Sequence, residues 1–213
     1  AVRAEQVYAD TAARLSRGAS VLEYGCFNGW NVPTLASYGA REIVGIDISE
    51  RLITEASAAH GSIARFSVMD GHRLALADES VDAVIGRSIL HHLDFETAIL
   101  EIHRVLKPGG GALFIEPLRG NPAAKALRML TPGARTKEEL PLSRAQVRQA
   151  DRLFTRSDHH FSGLVSVGLG LASSLVSNDP ANAAMRFADA ADLALARSPL
   201  RWWMRMITLR WTK

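Results

Sequence analysis

An α/β fold with a largely parallel sheet follows from three observations. Short apolar runs recur at 20–24, 42–47, 63–69, 81–86 and 112–116. Segments with helical spacing separate them, as at 95–106, where Ile99, Ile102, Val105 and Leu106 share one face. The runs are short, largely apolar and separated by helices, which predicts a parallel sheet covered on both faces.

The elements follow in order. Val7, Tyr8, Ala12 and Leu15 place a helix over 5–16, ended by Gly18. The first strand, 20–24, runs into a turn bracketed by Gly25 and Gly29 and then a helix over 30–38. Pro33 sits in its first turn, where a missing N–H costs little. The second strand, 42–47, precedes a helix over 51–60 with Ser49 as N-cap. Strands at 63–69 and 81–86 come next, then the helix 95–106 capped by Asp94, which Lys107-Pro108-Gly109-Gly110 stops. The fifth strand is 112–116. Beyond Pro117 the alternation weakens. Helices are expected at 122–130, at 143–150 with Ser143 as cap, and at 181–196. A loop is expected at 131–142, a short strand at 152–155, an apolar stretch at 161–176 and a last strand within 202–211.

A chain of 213 residues makes one domain, here with a core at 1–118 and, at 119–213, covering insertions and the last strands. Its 47% hydrophobic and 22% charged content is that of a globular protein. The single cysteine, Cys26, excludes an internal disulfide and suits a reducing compartment, so a cytoplasmic location is expected. No basic-then-apolar leader and no run of 18 apolar residues occurs. Residues 1–118 carry 10 Lys/Arg against 15 Asp/Glu, and residues 119–213 carry 15 against 7. The basic half reads either as a solvated face or as an attractor for an anionic substrate or a peripheral membrane contact. The basic residues are scattered and lack a stacking platform, which argues against nucleic acid. Two adjacent histidines and scattered acids do not form a metal-ligand cluster.

A strand, a glycine turn and a helix start form a nucleotide-binding corner, because glycine admits close backbone approach and the helix presents free N–H groups. Asp47 ends the second strand 22 residues after Gly25, placed to accept from both ribose hydroxyls.

Glu23-Tyr24-Gly25-Cys26-Phe27-Asn28-Gly29 resembles the acid-x-Gly-x-Gly-x-Gly motif of the class I S-adenosylmethionine-dependent methyltransferases. Asp47, Asp70 with Gly71, the stretch 78–82, Leu90-His91-His92-Leu93 and the stretch 104–110 follow in the order of that family's small-molecule branch, and the likeness spans residues 20–116. The resemblance implies a Rossmann-like seven-stranded sheet with helices on both faces and a C-terminal helical insertion. It implies S-adenosylmethionine as cofactor, S-adenosylhomocysteine as product, and a cofactor site of Glu23, Gly25, Cys26, Phe27, Gly29, Asp47, Ile48, Asp70, Gly71 and Arg87. Asp70 is the acid that accepts from the adenine amino group. The implied reaction is methyl transfer to a small, apolar molecule, at oxygen. Phe27 departs from the pattern, standing where the family has its middle glycine. Its ring either crowds the methionine part of the cofactor or folds outward and walls the acceptor site. Two alternatives therefore stand beside transfer: a cyclase or rearrangement enzyme that keeps the cofactor as a charge, and a non-catalytic scaffold with Phe27 blocking the site.

Methyl transfer needs alignment, removal of the acceptor's proton and exclusion of water. A histidine with its ordinary pKa of about 6.5 suits proton removal at neutral pH. His91 and His92 follow the fourth strand, and Glu116 ends the fifth on the same edge, so the expected catalytic set is one histidine as base with Glu116 as its orienter. The bland reading packs one histidine under the loop and leaves the other in water. His159 and His160 read as surface residues, and Cys26 as filler in the turn rather than a nucleophile. The stretch 161–176 with Trp202, Trp203 and Trp211 reads as a lid over an apolar acceptor, as ordinary core, or as a homodimer contact. In the first case Arg201, Arg205 and Arg210 would meet an acidic group.

Overall fold

Strands and helices alternate from residue 2 to Pro117, apart from a helix-free connection at 69–80, in the computed structural model, which describes residues 2–121, 140–166 and 182–213. The order is α1 (Val2–Ser16), β1 (Ser20–Tyr24), α2 (Val32–Ser37), β2 (Glu42–Asp47), α3 (Glu50–His60), β3 (Arg65–Val68), β4 (Val81–Arg87), a 3₁₀ turn (Leu90–His92), α4 (Phe95–Val105) and β5 (Leu106–Pro117). Then come α5 (Arg144–Asp151), β6 (Arg156–Ser157), β7 (His160–Ser162), α6 (Ala183–Leu195), a second 3₁₀ turn (Pro199–Trp203) and β8 (Met206–Thr212). The expected helices at 122–130 and much of the stretch 161–176 lie outside the described residues.

The strands form one sheet in the order β3-β2-β1-β4-β5-β8-β6, with β7 also on β8. β1 to β5 are mutually parallel and β8 runs antiparallel to β5. The sheet has eight strands where seven were expected, because its edge strand is interrupted. Arg156 lies opposite Thr212 and His160 opposite Thr208, so β6 and β7 keep one register on β8 and act as two pieces of a single strand. Strand order turns back at β1 and β4, and ligands of open α/β sheets bind outside the strand ends at such a point.

Every residue of β1 is buried, as expected of a strand covered on both faces. One face carries α1 and α2 through Tyr8, Ala12, Val32 and Leu35. The other carries α4 and α5 through Ile99, Ile102 and Val147. Burying a Leu- or Ile-sized side chain contributes about 1.5–3 kcal/mol, and these two layers are the main stabilising term. The caps read from sequence are present. Ser49 accepts from Leu52 N at 3.4 Å, Asp94 from Thr97 N at 3.0 Å, and Ser143 forms a capping box with Gln146.

Three boundaries differ from expectation. α4 ends at Val105 and the chain enters β5 at once, so the Lys-Pro-Gly-Gly run lies within the strand rather than ahead of it. It does so as a bulge: Val81 faces Leu106 while Ala83 faces Gly111. Gly109 N donates to Lys213 O at 2.9 Å and Lys213 N returns to Gly110 O at 3.0 Å. The short strand expected at 152–155 is a turn, with strand pairing beginning at Arg156, one residue later. Trp202 and Trp203 belong to a 3₁₀ turn, and the last strand starts only at Met206.

Candidate functional site

β1 delivers Glu23 to the carboxyl edge of the sheet, and the chain then turns through Gly25 at φ +71°. A Cβ on Gly25 would stand 2.6 Å from Ile89 Cγ1, so glycine here permits both the backbone conformation and the close packing of the loop after β4. Phe27 follows at φ +54°. A phenylalanine thus holds a left-handed backbone conformation, at a cost of about 1–2 kcal/mol. Its N–H donates to Asp47 Oδ2 at 3.1 Å, and the residue is half exposed. Asp47 Oδ1 accepts from Ser49 N at 3.0 Å, so one carboxylate ties the glycine turn to the start of α3.

A cleft of about 290 Å³ opens at this corner. Of the residues expected from sequence, Glu23, Gly25, Phe27, Asp47, Arg87 and His92 line it, joined by Trp30, Asn31, Gly86, Ser88 and Ile89. Glu23 is only 4% exposed, its Oε2 has no hydrogen-bond partner, and burial pushes its pKa up to about 7 against a lowering contact from Asn31. Arg87 Nη2 lies 2.8 and 2.9 Å from the two carboxylate oxygens of Glu5 in α1, and its guanidinium stacks over Tyr8 at 4.5 Å and Trp30 at 5.7 Å. Burial lowers the Arg87 pKa, but the contacts with Glu5 and Tyr8 together outweigh it and the net shift is upward.

The remaining expected residues surround the cleft without lining it. Cys26 is fully buried and burial pushes its pKa up to about 12, which leaves an inert thiol. Gly29 closes the turn at φ +77°. Ile48 stands beside Asp47 and is 73% exposed, a large apolar side chain held at the surface. Asp70 Oδ1 accepts from His72 N at 2.9 Å and His72 Nδ1 at 2.7 Å, bonds that hold its carboxyl below the usual range. His72 Nε2 accepts in turn from Asp94 N at 2.9 Å. Gly71 O accepts from the Tyr24 hydroxyl at 2.6 Å.

His91 and Glu116 meet as expected. His91 Nδ1 lies 2.7 Å from Glu116 Oε2, and Glu116 Oε1 accepts from Ile89 N and Leu90 N, each at 2.9 Å. Glu116 is fully buried, whereas the His91 side chain keeps 11% exposure. A carboxylate offers only acceptors, so Nδ1 is the donor to Glu116. The His92 ring packs on His91 with centroids 4.1 Å apart and faces the cleft.

The surface reading of His159 is corrected: its side chain is 10% exposed and bonds Asp151 at 2.7 Å, and Asp151 also accepts from Trp211 Nε1 at 2.9 Å. Of the described aromatic residues in the C-terminal part, Phe154, Phe161 and Trp211 are buried, whereas Trp203 and Phe187 stand exposed. Trp211 stacks on Phe154 at 5.3 Å, and Trp202 meets Phe161 edge-on at 5.2 Å. Arg210 is taken up by Asp158. Glu5, Tyr8, Trp30 and His72 were not singled out from sequence. Only Tyr8 had a signal, its place on the apolar face of α1. Among the described residues no cluster of three metal-ligating side chains occurs and no helix is long and apolar enough to cross a membrane.

Fold and corner together are Rossmann-like. A family model described as a methyltransferase domain matches residues 22–114. An O-methyltransferase of Aspergillus sclerotiorum is 33% identical over 116 residues, covering 51% of this chain and 44% of that protein. A ubiquinone biosynthesis O-methyltransferase of Xanthomonas oryzae pv. oryzae is 31% identical over 163 residues, 72% of this chain and 60% of that protein. The crystal structure of an S-adenosylmethionine-dependent methyltransferase from Mesorhizobium loti superposes with a TM-score of 0.69 at 16% identity, covering 99% and 98% of the two chains. Residues 22–114 carry a methyltransferase domain, the relatives named here are methyltransferases, and the fold is that of an S-adenosylmethionine-dependent methyltransferase. It spans roughly half the length of the curated relatives it matches, 44% and 60% in these two cases.

Proposed function

We propose that the protein transfers a methyl group from S-adenosylmethionine to a hydroxyl of a small, apolar acceptor. The observation that carries this reading is the His91–Glu116 pair at 2.7 Å, set beside a cleft that holds Glu23 and Asp47. The residues present fit the cofactor. Glu23 Oε2 is an orphaned buried acceptor, and Asn28 Oδ1 is another. Asp47 receives the ribose hydroxyls. Asp70 keeps Oδ2 for the adenine amino group while His72 holds Oδ1, and Ile48 offers the base an apolar side. Gly25, Gly29, Gly71 and Cys26 shape the backbone around it, and Phe27 and Arg87 stand at the mouth.

When bound, the cofactor supplies an electrophilic methyl group on sulfur. His91 Nε2 takes the acceptor's hydroxyl proton, while Glu116 holds Nδ1–H and stabilises the imidazolium that forms. His92 and Ile89 position the acceptor. The O-methyltransferases among the relatives support oxygen as the acceptor atom.

Calorimetry with S-adenosylhomocysteine tests the cofactor site. Asp47→Ala weakens binding about 10- to 100-fold, the scale of a charge-assisted hydrogen bond. Unchanged affinity refutes the ribose assignment. Formation of S-adenosylhomocysteine with an acceptor tests transfer itself, since a cyclase or a scaffold generates none. Phe27→Gly keeps affinity within about threefold and stability within about 1 kcal/mol, because the ring lines the cleft only at its mouth, half exposed, and glycine trades strain for chain entropy. A gain above tenfold would show instead that the ring blocks the cofactor.

A further inference from the structure

Two large aromatic side chains stand half exposed in the lining of the cleft, Phe27 at 51% and Trp30 at 54%. Phe27 keeps a backbone at φ +54° that glycine would adopt without strain. Its hydrogen bond to Asp47 Oδ2 comes from the backbone N–H, which every residue but proline supplies. A ring left half in water gains only part of the burial free energy of a core phenylalanine. Neither the turn nor the core therefore accounts for a phenyl ring at this place, and backbone strain kept in the wall of a cleft points to a ligand. Trp30 is set in the same wall. The Arg87 guanidinium lies 5.7 Å from the centre of its ring, and that guanidinium is itself held by Glu5 and by Tyr8 at 4.5 Å. The indole is thus oriented before any ligand arrives. Among the described residues, neither Phe27 nor Trp30 packs on another aromatic ring.

We propose that Phe27 and Trp30 are specificity-determining residues that stack on a planar aromatic acceptor, so that the hydroxyl methylated belongs to an aryl ring system, a phenol or its fused-ring analogue, rather than to a saturated alcohol. This inference rests on the methyl-transfer reading above. Aromatic faces attract one another in offset or edge-on geometry beyond the area they bury, whereas a saturated ring of the same size gains burial alone. Each of the two side chains has only two rotatable torsions, so holding it against a ligand costs little ordering entropy. The wall also carries Ile89 and the ring of His92, which continue the apolar and aromatic lining toward the His91–Glu116 pair. A phenolic hydroxyl, with a pKa of about 10, gives up its proton to an imidazole far more readily than an aliphatic alcohol does. Ile48 is more exposed than either ring, at 73%, but lies outside the lining, so exposure alone does not select these residues.

Calorimetric titration of the protein saturated with S-adenosylhomocysteine, using β-naphthol and decahydro-β-naphthol as probes, tests the proposal. The second probe has the same carbon skeleton and hydroxyl without the planar π system. β-Naphthol should bind roughly 5- to 100-fold more tightly, the scale of two aromatic contacts beyond burial. Phe27→Leu and Trp30→Leu keep an apolar side chain and remove the ring, and each should cut that preference about 2- to 10-fold. Equal binding of the two probes, no binding of β-naphthol, or a preference that persists undiminished in both variants overturns the proposal while leaving the cofactor site standing. β-Naphthol that binds only the protein free of S-adenosylhomocysteine puts the rings on the cofactor's side and overturns it as well. The comparison of the two probes uses the unaltered protein, so it can overturn the proposal even where Phe27→Leu fails to fold, and Trp30→Leu then carries the assignment. Absence of any S-adenosylhomocysteine binding overturns the methyl-transfer reading and this inference with it.

Discussion

Replacing His91 by alanine lowers turnover by a factor on the order of 10²–10⁴, the usual contribution of a positioned general base. Affinity for S-adenosylhomocysteine stays within about twofold, because a residue that acts on the acceptor's proton adds little to ground-state cofactor binding. Glu116→Gln gives a smaller loss of about 10- to 100-fold, as expected of a group that orients a reacting imidazole. It exchanges an acceptor for an amide that cannot serve Ile89 N, Leu90 N and His91 Nδ1 together. His92→Ala affects the Michaelis constant for the acceptor more than turnover. A full-strength His91→Ala enzyme would remove the base from this mechanism. A larger loss at His92 would transfer the role to the ring that faces the cleft.

The second large effect lies far from the chemistry. Asp192 in α6 is 4% exposed and accepts from the backbone N–H groups of Gly163, Leu164, Val165 and Ser166 and from the Ser166 hydroxyl, at 2.7 to 3.3 Å. Burial alone would raise its pKa, but these donors outweigh burial and hold it below the usual carboxylate range. Asp192→Ala orphans all of them and is expected to cost about 3–5 kcal/mol, the scale of breaking a buried charge from its partners. For a chain of this size that lowers Tm by about 10 °C. Because the folded pKa is depressed, the contribution is present above the unfolded value near 3.9 and is lost as pH falls through the folded value. The gap between the melting temperatures of the two proteins therefore narrows as pH falls from 7 into the acid range. A variant that melts within about 2 °C of the parent at pH 7 would mean that water replaces the clamp.

Much of the nucleotide corner was legible because its signals are local. An apolar run followed by Gly25, and another ended by Asp47, need no knowledge of the fold. The limits of β5 were not legible, because residues 106–110 join the sheet through partners distant in sequence. Gly109 and Gly110 bond Lys213, and locally Pro-Gly-Gly says only stop. The choice between His91 and His92 was equally closed to sequence. Adjacent residues share every local signal, and only the 3₁₀ turn decides which ring meets Glu116 and which the cleft. Glu5 carries no motif; it matters because α1 crosses the sheet where it reaches Arg87. His159 was misread because neither Asp151 nor Trp211 stands near it at a recognisable spacing.

The position of β8 has a consequence for assembly. The strand lies between β5 and the split edge, although its residues, 206–212, are the last of the ladder to be made. Until they emerge from the ribosome, the outer side of β5 from Gly111 to Pro117 is a bare row of N–H and C=O groups, and β6 and β7 have nothing to pair with. Such a row invites pairing with another chain. The nascent protein therefore passes through a sticky intermediate, and the rate at which one late strand inserts divides productive folding from aggregation.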